Sequence, residues 1–117
     1  MDVQVKETGK IVTLTLIDAK NGINWAEEFV ANWGALDDGQ FVKTDAGTYL
    51  ADQETVDWWV KALNAKQALE ERISELKEEH GVEAVGDVLS QVYDNDLLEE
   101  INARNAALDE VFGANTE

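Results

Sequence analysis

An uninterrupted helical segment from Gln53 to Glu79 constrains the fold of this chain more than any other feature. Asp52 precedes it as a candidate N-cap, His80-Gly81 ends it, and the chain contains no proline that could break it. At about 1.5 Å of rise per residue, this helix would be roughly 40 Å long, more than the width of a domain of this size. We therefore expect part of it to need a second packing partner.

The apolar residues of this segment form two clusters on different sides of the helix. One cluster comprises Val56, Trp59, Val60 and Leu63, and the other comprises Trp58, Ala62, Leu69, Ile73 and Leu76. The first half of the helix is expected to pack on a sheet, and the second half on another partner. Because the adjacent Trp58 and Trp59 cannot both point into one core, Trp58 is predicted to be partly exposed and to serve as an interface anchor.

Two β-hairpins are predicted before the long helix. Residues 3 to 6 and 11 to 17 alternate apolar and polar side chains around a turn at Glu7-Thr8-Gly9-Lys10. Residues 40 to 44 and 48 to 50 flank Asp45-Ala46-Gly47, where the glycine suits the left-handed position of a three-residue loop. Together the hairpins predict a four-stranded antiparallel sheet.

A short helix is predicted between the hairpins. Asn24 with Glu27 three residues later resembles a capping box, and Gly34 can terminate the helix. Trp25, Phe29 and Trp33 recur at intervals of four, which places them on one stripe of the helix. We expect this aromatic stripe to belong to the core, since three aromatic rings bury a large area in a small domain.

The chain after Gly81 is predicted to be helical as well. A helical period of valines and Leu89 starts at Val82 despite Gly86, and Asp96 with Glu99 caps a final helix that closes near Gly113. The prediction is an α+β fold of order ββαββααα in a single domain over residues 1–117. In this reading residues 1–51 contain the hairpins and the short helix, and residues 52–113 are helical.

Charge excludes several classes of ligand. Twenty-five acids against nine bases give a formal net charge of −16, and residues 78–117 hold eleven of these acids with Arg104 as their one base. Such a protein repels nucleic acid and anionic membranes and attracts basic surfaces, so we expect no direct nucleic-acid or membrane binding. Because the chain also lacks cysteine, an apolar span of membrane length and a signal-peptide pattern, we expect a soluble, cytoplasmic protein.

The sequence offers little for catalysis. His80, the one histidine, lies at a helix end, and Ser74 and Ser90 have no accompanying His and Asp constellation. Asp94-Asn95-Asp96 lacks the glycine and the distant glutamate of a calcium loop, and the glycines form no phosphate-binding loop. We therefore predict no enzymatic activity, no cofactor and no metal site.

The functional prediction is based on the acidic surface. Carboxylates three or four residues apart on a helix repel each other, yet here they recur without compensating lysines, and such spacings can imitate backbone phosphates. The alternative is a solvated face that confers only solubility. The predicted partner-binding residues are Trp58, Glu71, Glu75, Glu78, Glu79, Glu83, Asp87, Asp94, Asp96, Glu99 and Glu100.

The stretch GQFVKTDAGTYLADQETVDWWVKALNA is a hairpin that leads into an acidic helix with aromatic positions. It resembles parts of the small acidic phage proteins that inhibit bacterial defence, including DNA-mimicking anti-CRISPR and antirestriction proteins. The resemblance covers about a quarter of the chain and is one of style and composition. It implies a stoichiometric inhibitor that blocks the basic DNA- or RNA-binding surface of a defence nuclease or CRISPR effector, in the host cytoplasm if the protein is phage-encoded.

A second hypothesis, from a different class, is a structural or assembly domain. Positions 59, 62, 66, 69, 73, 76 and 80 follow a 4-3 spacing, although Lys66 and His80 interrupt its apolar character. In this reading the long helix pairs with a copy of itself, and the acidic surface serves only solubility. The sequence leaves monomer and homodimer both open.

Overall fold

The computed structural model describes residues 1–94 and 96–113 and has an α+β fold. Its elements are β1 (Asp2–Val5), β2 (Ile11–Thr13), β3 (Ile17–Asp18), β4 (Ile23–Asn24), α1 (Ala26–Asn32), β5 (Val42–Lys43), β6 (Tyr49–Ala51), α2 (Gln53–His80), α3 (Val82–Leu89) and α4 (Leu97–Phe112). The chain divides into two compact units, Met1–Asn64 and Ala65–Glu117.

The main sheet of the first unit has the strand order β2-β1-β6-β5. Both predicted hairpins are present, but β1 and β6 pair in parallel, with Val3 opposite Tyr49 and Val5 opposite Ala51. The prediction of a purely antiparallel sheet is therefore wrong, and the sheet is mixed. The chain between the hairpins, residues 14–41, is long enough to bring β6 back in the direction of β1.

The predicted strand over residues 11–17 is also divided. It contributes only β2 to the main sheet, and Ile17 then pairs with Asn24 in a separate two-stranded sheet of β3 and β4. The Asn24 side chain accepts hydrogen bonds from the N–H groups of Leu16 and Ala26 and donates one to the carbonyl of Leu14. Asn24 therefore joins this segment to the start of α1, whereas Trp25 occupies the N-cap position predicted for Asn24.

The core of the first unit lies on one face of the main sheet. Side chains of β1 and β6 are buried there together with residues of α1 and of the first half of α2. The Phe41 ring lies 6.2 Å from the Tyr49 ring and 6.4 Å from the Trp59 ring, centroid to centroid, which connects the sheet to α2. Val56, Trp59 and Leu63 are all buried, as predicted for the sheet-facing side of the long helix.

The aromatic stripe of α1 is not the core element that its periodicity predicts. Ala26 and Val30 are the buried residues of α1, whereas 42% of Trp25 is exposed and Phe29 and Trp33 are only half-buried. The prediction is wrong for Trp25 and overstated for the other two aromatics. At 100° per residue Phe29 and Trp33 lie next to the buried side of Ala26 and Val30, whereas Trp25 lies further from it.

The second unit consists of the second half of α2, α3 and α4. Gly81 separates α2 from α3 with a φ of 95°, a left-handed conformation that favours glycine. Asp96 caps α4 by accepting a hydrogen bond from the N–H of Glu99, and Gly113 ends the helix, both as predicted. Val85, Leu97, Ile101 and Leu108 are buried and give this unit its own apolar core.

Candidate functional site

Four exposed glutamates line one side of the second half of α2, and we name them the acidic stripe: Glu71, Glu75, Glu78 and Glu79. At 100° per residue they lie within a sector of about 100°, opposite the sector of Leu69 and Ile73. Those two residues are 1% and 6% exposed, so their burial holds the stripe outward. The helix therefore presents four carboxylates to solvent from a packed backbone.

The linear charge density of the acidic stripe is close to that of a nucleic-acid strand. The four charges lie between residues 71 and 79, which are about 12 Å apart along the helix axis. The mean axial separation between successive charges is therefore roughly 4 Å. A strand of B-DNA carries one charge per about 3.4 Å of its axis. The stripe thus presents negative charge at an axial spacing similar to that of one DNA strand.

Few cations neutralise this unit. Its described part contains thirteen acids and four bases. Three of those bases form ion pairs: Lys66 with Glu70, Arg72 with Asp109, and Arg104 with Glu100. Within residues 65–94 and 96–113, the carboxylates of Glu71, Glu75 and Glu78 have no ion pair. These three carboxylates therefore have no direct ionic partner in the described part of the chain.

Arg72 secures α2 against α4 within this unit. Only 14% of its side chain is exposed, and its guanidinium donates to the backbone carbonyl and the side-chain oxygen of Asn105 at 3.3 and 3.0 Å. It also pairs with the carboxylate of Asp109. Further along α2, the His80 ring stacks on Phe112 of α4 with centroids 4.5 Å apart. These contacts fix the helix that carries the acidic stripe.

The other predicted acids of this unit fall into three groups. Glu83 and Asp87 are exposed on α3, one helical turn apart, and could extend the negative surface. Asp94 and Asp96 accept hydrogen bonds from nearby backbone N–H groups, and Glu100 pairs with Arg104 at 2.9 Å. Glu99 is exposed in the first turn of α4, where its charge complements the helix dipole. The carboxylates of Asp94, Asp96 and Glu100 thus already have partners within the chain.

Trp58, the one aromatic residue of the predicted set, lies in the first unit. It is 38% exposed, while its neighbour Trp59 is 3% exposed, which confirms that only one of the pair enters the core. The two rings meet edge to face at 4.9 Å, and the Trp59 indole donates a hydrogen bond to the Gln40 side chain at 3.0 Å. Trp58 is therefore held in position by a buried, hydrogen-bonded neighbour.

The 4-3 seam proposed for a helix dimer is largely buried in the single chain. Trp59 and Ala62 are buried in the first unit, and Leu69 and Ile73 in the second. His80, the last position of the seam, stacks on Phe112 instead of facing solvent alone. Most of the apolar residues of this seam are thus covered within the chain, and Leu76 is half-buried.

Two aspartates of the first unit have lowered pKa values. Hydrogen bonds from the side chain and the backbone N–H of Thr55 lower the pKa of Asp52, the N-cap of α2. The side chain of Asn21 is the main cause of the lowered pKa of Asp18, to which the Trp25 indole also contributes. Both effects stabilise local turns and caps.

Sequence reasoning did not single out Arg72 or the exposure of the α1 aromatics. Arg72 lies one helical turn from Leu69 and from Leu76. This position beside the apolar seam could have indicated that Arg72 is partly buried. Its partners Asn105 and Asp109 are more than thirty residues away, and no local pattern identifies them. The exposure of Trp25 likewise depends on which side of α1 faces the sheet.

Among residues 1–94 and 96–113, no three His, Asp or Glu side chains gather closely enough to hold a metal ion. In the same part of the chain, no helix combines the length and apolar character needed to cross a membrane. No family model, curated protein or solved structure gave a significant match to this chain.

Proposed function

We propose that this chain is a non-catalytic acidic binding protein whose second unit occupies a basic nucleic-acid-binding surface of another protein. The observation that carries the proposal is the acidic stripe, four exposed carboxylates on a helix whose opposite side is buried. A fixed array is a better phosphate mimic than a flexible acidic tail, because less conformational entropy is lost on binding.

The partner class follows from the charge. A surface that binds nucleic acid carries clustered Lys and Arg, and an acidic protein reaches it by electrostatic attraction and releases bound anions. We extend the proposal to a defence nuclease or a CRISPR effector as the partner, on the strength of the resemblance to phage inhibitors. Glu83, Asp87 and Glu99 are further exposed carboxylates of the second unit that can contribute to the same contact.

The decisive experiment is displacement of labelled duplex DNA from a panel of purified defence nucleases and CRISPR effectors. We expect the protein to displace DNA from at least one of them, with an apparent affinity that weakens at least about tenfold between 0.05 and 0.2 M salt. Displacement that is unchanged over this salt range would contradict the proposal, since phosphate mimicry depends on ion release.

Two variants with the same net charge distinguish an effect of the acidic stripe on displacement from an effect of the overall charge. Glu71→Gln, Glu75→Gln and Glu78→Gln together remove three charges from the stripe, whereas Asp37→Asn, Asp45→Asn and Glu54→Gln remove three exposed charges from the first unit. The stripe variant should lose at least about tenfold in displacement, and the control should lose far less. Equal losses would show that only net charge matters.

A further inference from the structure

The turn between β3 and β4 contains a reactive pair of residues that the proposed function does not use. Asn21 is followed by Gly22, and this is the one Asn-Gly pair in the sequence. In such a pair the backbone nitrogen of the glycine can attack the side-chain carbonyl carbon of the asparagine, because glycine has no side chain to hinder the approach. Both residues are exposed, so water can reach the product of this attack.

The reaction at this pair needs no co-reactant other than water. The Gly22 nitrogen loses its proton and forms a bond to Cγ of Asn21, while the bond from Cγ to the amide nitrogen breaks. The amide nitrogen takes up that proton and leaves as ammonia, and a cyclic succinimide remains. Water then opens the ring at one of its two carbonyls, which gives aspartate or isoaspartate. The net reaction consumes water, releases ammonia and turns a neutral amide into a carboxylate.

The folded turn engages both reacting groups in hydrogen bonds to Asp18. The Gly22 N–H donates to the backbone carbonyl of Asp18 at 2.8 Å, and the Asn21 side-chain amide donates to the Asp18 carboxylate at 2.8 Å. The backbone N–H groups of Lys20 and Asn21 donate to the same carboxylate at 3.1 and 3.3 Å. Because the attack requires a deprotonated Gly22 nitrogen and rotation of the Asn21 side chain, these hydrogen bonds must break first.

We propose that Asn21 is a deamidation site that Asp18 keeps protected in the folded protein. Local opening of the turn releases the pair, and the reaction proceeds from the open state. The product no longer fits the turn, because a carboxylate at position 21 cannot donate to Asp18 and places a second negative charge beside it. Deamidation therefore converts a transient opening into a lasting one. The inference concerns the first unit alone and does not rest on the acidic stripe.

The test compares the rate of deamidation at Asn21 in the intact protein with the rate in a synthetic peptide of residues 16–25, which is too short to keep the turn folded. Both are incubated in the same buffer at the same temperature, and mass spectrometry of digested samples measures the conversion. We expect conversion in the protein to be at least about tenfold slower, because the hydrogen bonds to Asp18 must open first. Equal rates in the protein and the peptide would overturn the inference.

Asp18→Ala then tests which residue protects the site. In the intact protein it should accelerate conversion at least about fivefold, because the hydrogen bonds to the carboxylate are lost. Asp45→Ala, which changes an exposed aspartate in the turn between β5 and β6, should leave the rate unchanged. Asp18→Ala in the peptide should also have little effect, since no folded turn is lost there. Protection that survives Asp18→Ala in the protein would overturn the role of Asp18.

Asn21→Asp keeps the test decisive if Asp18→Ala fails to fold. It imitates one product of deamidation, and its urea midpoint should lie below that of wild type, because a donor to Asp18 is lost and a like charge is added. Asn102→Asp makes the same chemical change at an exposed position of α4 and should lower the midpoint less. Equal midpoints for wild type and Asn21→Asp would overturn the inference, because the bond between Asn21 and Asp18 would then not stabilise the turn.

Discussion

At the scale of single residues, stability depends on a few side chains that join distant parts of the chain. Arg72 is the clearest case, because its guanidinium hydrogen-bonds to Asn105 and pairs with Asp109 while most of the side chain is buried. The ion pair alone should contribute little, since 45% of the Asp109 side chain is exposed. The larger contribution comes from the charged hydrogen bonds to Asn105.

Arg72→Met should therefore destabilise the protein by about 1–3 kcal/mol, because it keeps the aliphatic stem and removes the donors. The midpoint of urea unfolding measures this loss. Lys61→Met removes an exposed cation of α2 and serves as the control, with an expected change within about 0.5 kcal/mol. Equal midpoints for both variants would show that the hydrogen bonds to Asn105 do not stabilise the fold.

Asp52 makes stability depend on pH. The pKa of its carboxyl group is lowered from the ordinary value in the folded protein because the Thr55 side chain and N–H donate to the carboxylate. A lowered pKa contributes stability above the unfolded-state pKa, and this contribution disappears as the pH falls through the folded-state pKa. Asp52→Asn should therefore destabilise the protein near pH 7, and the difference from wild type should shrink as the pH falls below the unfolded-state pKa of about 3.9. Urea unfolding at several pH values tests this, and a difference that grows at acidic pH would contradict it.

At the scale of elements, α3 contains a residue type that is unfavourable in a helix. Gly86 lies inside this helix, and a Cβ added there would meet no atom within 4 Å. Gly81, just before α3, has a φ of 95°, which other residues rarely adopt. The two glycines therefore have opposite roles, one that weakens a helix and one that permits a turn.

Gly86→Ala should stabilise the protein by about 0.5–1 kcal/mol, because alanine loses less backbone entropy in a helix. Gly81→Ala should destabilise it by about 1–2 kcal/mol, because the side chain is strained at this φ. Thermal unfolding followed by the helical circular dichroism signal measures both changes. A loss of stability in Gly86→Ala would mean either that α3 needs the backbone flexibility of Gly86 or that a neighbouring group approaches this position closely.

At the scale of the whole molecule, self-repulsion opposes folding. The net charge is −16, and pairs such as Glu71 with Glu75 are one helical turn apart, where like charges cost a few tenths of a kcal/mol. Salt shortens the Debye length from about 30 Å at 0.01 M to about 8 Å at 0.15 M and so screens this repulsion.

The urea midpoint should consequently rise as NaCl increases from about 0.01 to about 0.15 M. The Glu71→Gln, Glu75→Gln, Glu78→Gln variant should be more stable than wild type at low salt and should gain less from added salt. A midpoint that falls with NaCl would show that attractive ion pairs, such as the one between Lys66 and Glu70, outweigh the repulsion.

The sequence by itself determined the features that arise from short-range interactions. The bounds of α2 match their prediction to within one residue, as do the caps at Asp52 and Asp96 and the stop at Gly113. Both predicted hairpins form, although the strand predicted over residues 11–17 ends at Thr13. Each depends on bonds or contacts between residues close in the chain, so each leaves a local pattern. The outward direction of the acidic stripe follows equally from helical periodicity, since Leu69 and Ile73 occupy the opposite side.

Only the tertiary structure decided which surfaces meet. The parallel pairing of β1 with β6 joins residues more than forty positions apart, and no local alternation distinguishes it from antiparallel pairing. The periodicity of α1 defined an aromatic stripe, but the folded chain buries Ala26 and Val30 and leaves Trp25 exposed. Burial depends on the competition between all faces for one core, which is a property of the folded chain and not of any segment within it.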